Sequence, residues 1–501
     1  MTNENAGRAV SRSAEAGTFV VGVDVGTSGV KATAVSIEDG VAVERRCVSI
    51  GYRPDGEPSR DPDRWVDASL EALKALELSG ERDILGVGFT GQMHALVAVG
   101  ENLRPLRPAM LWLDYDGAAQ LQALTSRHSE INFVRSTGNI PLPDFTLAKW
   151  LVAVEHEPGL AKDTRAVLGA KDYVRTVLCD GEVTTDWNEA AGTQLYDPFT
   201  RRWADEVATA AGLAVDRLPS VVDSTALVAP PRDRDGVGIG VRGVVGTGDQ
   251  AAAARAVSAF AEGVVSLSLG TSGVLAARLD MAELPGDWDG RFHLFPLDAA
   301  GSFQLIGTIP SVGPTLRWVS QLLRVPIEEL STLARKADSD WPGARFYPYL
   351  AGRGAPDADA HQQGALVGLT EKTTSADIAQ AVYLGIAFEL ASIVAEMRAL
   401  GVHVEKVVCS GAVAADSHLA ELIGACADVR CATARGLSAS SSGAALLAYD
   451  AASLGNRPVL GSLPVSSRQV PPGRAEWQEG REAIVHGLSF SAPVVGHDLQ
   501  C

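Results

Sequence analysis

The chain has 501 residues, of which 46% are hydrophobic and 21% charged, with 51 Gly, 25 Pro and a formal net charge of −18. The apolar share excludes a disordered chain, and at about 150 residues per domain the length makes roughly three domains or two large ones. The negative charge repels phosphate backbones and anionic lipid, which argues against nucleic acid or a membrane surface as partner. An anionic cofactor remains open, because backbone N–H groups and Mg2+ can hold phosphates locally.

Residues 1–17 are polar and small, carry no secretory apolar segment and are expected to be a disordered tail. Phe19-Val-Val-Gly-Val-Asp24-Val-Gly26-Thr27-Ser28-Gly29-Val-Lys31 predicts a strand, a glycine turn and a second strand. A further strand, Ile84 to Phe89, leads into Gly91-Gln92-Met93-His94, where polar side chains at a strand end suit a small polar ligand. Gln92 to Val99 then reads as apolar strand. Next come a strand at Val241 to Val245, the turn Gly246-Thr247-Gly248-Asp249 and an alanine-rich helix. Asp249 reads equally as a helix cap or as a general base.

The strand Val264 to Leu269 ends in Gly270-Thr271-Ser272-Gly273-Val274, repeating Gly26-Thr27-Ser28-Gly29-Val30 after 244 residues. A repeat of turn and strand context, nearly half a chain apart, predicts an internal duplication. Two α/β halves are expected, at 18–254 and 255–488, with 489–501 as a tail. Long helical patterns cover Ala376 to Leu400 and Ala415 to Ala427, and Arg474 to His486 could close the fold.

Asp24, followed by a turn with two hydroxyls, suits a metal held through water beside phosphate, and the two turns could clamp one polyphosphate. Ser268 stands where Asp24 stood. Two GxGxxG matches, Gly86–Gly91 and Gly238–Gly243, lack the helix a dinucleotide site needs, and no P-loop run occurs. The six cysteines, Cys47, Cys179, Cys409, Cys426, Cys431 and Cys501, form no CxxC pair and read as free thiols of a reducing cytoplasm. No uncharged apolar run reaches the roughly 18 residues of a membrane span.

Further segments complete a pattern: Trp112-Leu-Asp114, Thr137-Gly-Asn139, Phe145-Thr-Leu-Ala-Lys149, Lys171-Asp-Tyr173, Thr185-Asp186, Ala191-Gly-Thr193, Tyr347-Pro-Tyr-Leu-Ala-Gly352 and Gly443-Ala-Ala-Leu-Leu-Ala448. In order and spacing, from Val20 to Ala448, the set resembles the FGGY carbohydrate kinases, closest to their xylulokinase branch. The resemblance implies an α/β fold of two actin-like (ribonuclease-H-like) domains with a central interdomain cleft. Sugar would bind mainly on the N-terminal domain and ATP mainly on the C-terminal one. It implies Asp249 as base, Asp24 and Asp249 around Mg2+, and Gln92, Met93, His94, Trp112, Asp114 and Gln250 about the sugar. It implies Gly26, Thr27, Ser28, Lys31, Gly270, Thr271, Ser272, Gly411 and Ala412 about ATP.

Several departures from the family pattern fall in or near the expected acceptor region. Its Trp-Asn-Asp-x-Arg is Trp112-Leu113-Asp114-Tyr-Asp116 here, its Asp-Asn is Asp249-Gln250, its Gly-Glu-Arg is Gly352-Arg353-Gly354, and its Gly-Gly-Gly is Ser410-Gly411-Ala412. The expected reaction is ATP-dependent phosphorylation of a primary hydroxyl of a small sugar, D-xylulose or a related ketose, in a cytoplasmic protein, with a homodimer as one form of assembly. The alternatives are another polyol, aldonate or modified sugar as acceptor, or a non-catalytic sensor. A nicotinamide oxidoreductase rests only on the two glycine decoys.

Overall fold

The computed structural model describes residues 19–38, 41–77, 84–114, 116–179, 181–231, 241–259, 261–297, 301–337, 343–434, 438–452, 459–460, 462–464, 477–479 and 481–482. The first valine-rich run folds as β1 (Phe19–Val25), turns at residues 26–28 and returns as β2 (Gly29–Glu38), with β3 (Val41–Gly51) antiparallel beyond it. Val20, Val21, Val23 and Val25 are all fully buried, as suits β-branched side chains in a strand covered on both faces.

One face is covered by α1 (Pro62–Ala75), which starts under an Asp61 cap with proline in its first turn and buries Trp65. The free edge of β1 is taken in parallel by β4 (Ile84–Gly91). Two helices, α2 (Ala170–Cys179) and the short α3 (Trp187–Ala191), precede β5 (Gly243–Val244) and β6 (Thr247–Gly248), both parallel to β4. The chain then enters α4 (Asp249–Ala256).

The second half builds the same sheet again. Antiparallel strands β7 (Val264–Leu269), β8 (Gly273–Asp280) and β10 (Ser302–Ile309), flanked by β9 (His293–Pro296), are continued in parallel by β11 (Lys406–Ser410) and β12 (Arg430–Ala434). The neighbour order β3-β2-β1-β4-β5 therefore recurs as β10-β8-β7-β11-β12. Its core is α5 (Ser375–Ala399), begun by a Thr374–Asp377 capping box. By length and composition α5 could cross a membrane, but it is packed inside the C-terminal lobe. The last helix of the repeat is α6 (Ala439–Ala452).

The two closing helices are exchanged. α4 follows the N-terminal sheet yet also packs on β7 and β8, while α6 follows the C-terminal sheet yet packs on β1, β2 and β4. The helices lie against each other, and Arg255 of α4 makes a buried bidentate pair with Asp450 of α6, both bonds 2.7 Å. Gly22 and Gly88 let the sheet meet the α6 backbone: a Cβ on either would overlap the carbonyl oxygens of Ser441 or Ala444. Gly443 does the same for the Ala252 carbonyl of α4.

The glycines at 86 and 88 thus serve helix–sheet packing, and the dinucleotide reading of that segment falls away. Residues 92–99 differ from expectation, since only Val97–Val99 is strand. The Gln92 N–H bonds to the Val25 carbonyl and His94 takes a positive φ of 65°, which turns the chain out of the sheet. The alanine-rich helix stops at Ala256, with Ser258 at φ 61°. Among the described cysteines all five are free, and all but Cys47 are buried. Cys501, the tails at 1–17 and 489–501, and Gly238–Gly240 lie outside the described residues, as does most of 474–486, of which 477–479 and 481–482 are helical.

Gly443→Ala forces α4 and α6 apart, an overpacking that costs about 1–3 kcal/mol or more. Its thermal midpoint is expected to fall by several degrees in a melting scan. An unchanged midpoint would mean that the helix seam is not a tight contact.

Candidate active site

Adjacent parallel strands bring the two acids of the sequence pattern to one end of the N-terminal sheet. Asp24 of β1 is level with Thr90 of β4, and Thr90 is level with Thr247 of β6. Asp249 follows two residues later as the first residue of α4. Gly248 occupies the cap position and no side chain caps this helix, so the carboxylate of Asp249 is not consumed as an N-cap.

Both acids keep part of their surface open but are ringed by protein. Burial pushes Asp24 up to about 6, against the pull of Lys31, its cross-strand partner on β2. Burial pushes Asp249 up to about 7, the charge of Asp24 pushes it further, and hydrogen bonds from Gln250 oppose the rise. The two carboxylates therefore share one field. Gln250 thus acts on Asp249 itself. The buried Oδ1 of Asp24 has no hydrogen-bond partner, a vacancy in donor chemistry that fits a hydrated divalent cation. Among the described residues no group of three or more His, Cys, Asp or Glu is arranged to hold a metal.

The Gln92–His94 turn lies beside this pair. Gln92 is buried, donates from Nε2 to the Gly26 carbonyl at 3.4 Å and leaves Oε1 unpartnered. Met93 packs on Gly248, where a Cβ would come within 2.6 Å of the Met93 Sδ. His94 Nδ1 donates to the Gly192 carbonyl at 2.6 Å, which leaves Nε2 as the acceptor. Burial lowers the His94 pKa to about 4, with the Asp144 charge acting the other way, so the ring is neutral at pH 7. Phe145 stands 4.4 Å from its ring, and Phe295 of the other lobe 6.2 Å.

Trp112 donates from Nε1 to the Thr27 hydroxyl at 2.9 Å, which links an expected sugar residue to an expected phosphate residue. Asp114 is engaged in a fork with Arg60, one arm at 2.6 Å, and accepts from the Leu111 N–H. Burial raises its pKa, but the Arg60 bonds win and hold it below the usual range. Arg60 is a guanidinium that the sequence pattern did not single out. It comes from before α1 and partners the acid of a motif whose own family arginine is Asp116 here.

On the C-terminal lobe, Gly270 donates to the Ser272 carbonyl at 2.9 Å and accepts from the Gly313 N–H at 2.9 Å, while Thr271 is exposed. Ser268 is level with Ser410 on the adjacent parallel strand, so Gly411 and Ala412 emerge beside the Gly270 turn. Gly411 has φ 92° and its α-carbon faces the Leu269 carbonyl too closely for a side chain.

Three further side chains cross between the lobes or lie beneath the acids, and of these only Asn139 belongs to the sequence pattern. Asn188 donates to Gln304 Oε1 at 3.0 Å, and Asn139 exchanges bonds with the Leu294 backbone. Glu189, near Asp249, is pushed well up by burial and by the surrounding carboxylates against the pull of Lys171. A cavity of about 950 Å3 lined by Arg53, Arg60, Arg104 and Arg107 contains neither Asp24 nor Asp249 and lies away from the acid pair.

Comparison with known proteins bears on the family and the fold. The model of the FGGY family of carbohydrate kinases, N-terminal domain, matches residues 19–255, and that of the C-terminal domain matches 265–452. The chain is 32% identical to a xylulose kinase of Klebsiella pneumoniae, over 74% of this chain and 77% of that protein. A crystal structure of a xyloylose kinase from Brucella ovis, 26% identical, superposes with a TM-score of 0.80 over 93% of this chain and 97% of that one. A gluconate kinase from Lactobacillus acidophilus, 23% identical, shares the fold with a TM-score of 0.82 over 94% of this chain and 97% of that one.

Asp249→Asn removes a desolvated charge. The wild-type penalty is fully present above the folded pKa of about 7 and fades as pH falls from 7 towards 3.8. In chelator-treated, nucleotide-free buffer the variant is expected to melt higher than wild type at pH 8, with the gap clearly narrower at pH 5. A gap that stays constant from pH 8 to 5 would refute the raised pKa.

Proposed function

The chain belongs to the FGGY family of carbohydrate kinases, and on that premise we propose that it transfers the γ-phosphoryl group of ATP to a primary hydroxyl of a small uncharged ketose, D-xylulose or a close relative. It is a carbohydrate kinase, and ATP is the phosphoryl donor of sugar kinases of this family. The observation that carries the finer reading is the shared field of Asp24 and Asp249 at one end of three adjacent strands.

Phosphoryl transfer asks a protein mainly for alignment and charge neutralisation. Asp249 takes the proton as the sugar oxygen attacks: the O–H bond breaks, the O–P bond forms, and the bridging P–O bond breaks to release ADP. A carboxyl near 7 is poised to accept a proton at neutral pH. Gln92 Oε1 and His94 Nε2 accept from sugar hydroxyls, and the Phe145 ring walls the pocket. Residues 26–28 with Lys31, and residues 270–272 with Gly411 and Ala412, hold the nucleotide from opposite lobes. Asp24, with Asp249 nearby, would hold Mg2+, which when bound neutralises charge on the terminal phosphates. The lobes' closure excludes water, the rival nucleophile.

An uncharged acceptor is favoured by what the pocket does with its cations. Lys149 spends its ammonium on the carbonyls of Asp144 at 2.5 Å and Phe145 at 3.3 Å, and burial lowers its pKa to about 8. Burial also lowers His293, next to Phe145 at 5.6 Å. The Asp144 carboxylate acts on His94, His293 and Lys149 alike. An aldonate carboxylate would thus meet the Asp144 carboxylate and two neutral rings, beside a Lys149 ammonium already engaged with backbone carbonyls.

Two outcomes check the proposal. Asp249→Ala is expected to lose at least about 10³-fold in kcat with binding of ATP and sugar largely kept. Near-normal turnover would remove Asp249 as the base. In a coupled ADP-release assay, ketoses and their polyols are expected to exceed gluconate by about 100-fold or more in kcat/KM. Silence with every acceptor while ATP still binds would favour a sensor, and a preference for gluconate would overturn the uncharged-acceptor reading.

A further inference from the structure

Lys171-Asp172 and Thr185-Asp186 belong to the sequence pattern but take no part in the proposed reaction. Both lie directly beneath it. Lys171, Asp172 and Arg175 of α2 are fully buried, and Asp186 at the start of α3 is 2% exposed. The Lys171 Nζ is 2.7 Å from Asp172 Oδ1 and 3.1 Å from Asp186 Oδ1, and Arg175 lies 3.5 Å from Asp172. Asp186 has four donors around it: this ammonium, the Asn188 and Glu189 N–H groups of α3, and the Thr247 hydroxyl, which donates to Oδ2 at 2.7 Å.

Thr247 is held twice. Its hydroxyl is fixed by Asp186, and its carbonyl accepts from the Thr90 hydroxyl at 2.7 Å. Only Gly248 separates it from Asp249, and Gly248 is wedged between Met93 and Asn188, whose atoms lie 2.6 and 2.9 Å from where its Cβ would be. No side-chain bond caps α4, so the approach to Asp249 is set from the Thr247 side. An ion cluster this deep is a poor source of stability, because desolvation offsets its attraction. Its distinctive product is a carboxylate with a fixed position and orientation, one residue pair away from the reacting acid.

We propose that Asp186, anchored by the Lys171 ammonium, acts as a positioning residue that sets the Asp249 carboxylate through the Thr247 hydroxyl. The inference rests on Asp249 as proton acceptor. It does not make Thr247 or Asp186 touch substrate. Misplacing a reacting group by about 1 Å can cost on the order of 10²-fold in rate, and the loss should fall on the chemical step.

Thr247→Val keeps the shape of the side chain and removes the one bond at issue. Its kcat is expected to fall about 10- to 100-fold, with KM for sugar and for ATP within about twofold of wild type, and Thr247→Ser is expected to recover most of the rate. In an Asp249→Ala background the valine is expected to cost nothing further, because the group it positions is gone. Wild-type kcat in Thr247→Val, a rise in KM in place of the kcat loss, failure of serine to rescue, or a full additional loss on top of Asp249→Ala would each overturn the proposal. If Thr247→Val does not fold, Asp186→Asn, which keeps the acceptor for Thr247 but weakens the Lys171 anchor, is put through the same kcat, KM and Asp249→Ala cycle and must give the same kcat-only, non-additive loss. The Asp249→Ala control separates the two readings: if that variant turns over normally, the base assignment fails, and if it is dead while Thr247→Val is unaffected, only the positioning role fails.

Discussion

The arrangement depends on how closely two helices and a sheet can approach. Gly22 and Gly88 bring β1 and β4 against the α6 backbone, and Gly443 brings α6 against α4. Apolar burial alone is non-directional and would accept many spacings. Backbone meeting backbone accepts one. Because Asp249 is the first residue of α4, that single spacing also decides where its carboxylate stands relative to β1 and Asp24. The Arg255–Asp450 pair fixes the rotation of one helix on the other, since a bidentate fork tolerates little twist.

Electrostatics works against this geometry and is partly what makes it useful. The protein carries 61 acids against 43 Lys and Arg, and it places two acids where burial raises both. The charge of Asp24 makes Asp249 harder to ionise, so a carboxylate ordinarily without a proton affinity at neutral pH becomes able to accept a proton. Below them the balance is reversed. Lys171 and Arg175 meet Asp172, Asp186 and Glu189, and Glu189 is driven towards its neutral form. Compensated charge below and uncompensated charge above give the cleft a stiff floor and a reactive surface.

The sequence made the hairpins, the repeated glycine turns and α5 legible, because each rests on a local pattern: strand period, turn chemistry, helix period, or two copies of one motif; the pairing of Asp24 with Asp249 came only through the family resemblance. It did not reveal the exchange of α4 and α6, since nothing in a helix's own residues says which sheet it will cover. Arg60 was illegible for the same reason: 54 residues separate it from Asp114, and an exposed arginine before a helix has no local mark. The Lys171 cluster left a trace, namely charges spaced on the buried face of a short helix, but their partners lie on other elements. The apolar stretch after Gln92 has strand composition throughout, but composition cannot register the turn at Gln92–His94, where the positive φ of His94 and the Gln92 N–H bond to Val25 override β propensity.

The exchanged helices make the two lobes mutually dependent. Severed between the repeats, the N-terminal fragment would expose the glycine-floored groove that α6 fills, and the C-terminal fragment would lose the cover that α4 gives β7 and β8. Each piece would offer water an apolar trough shaped for a missing helix.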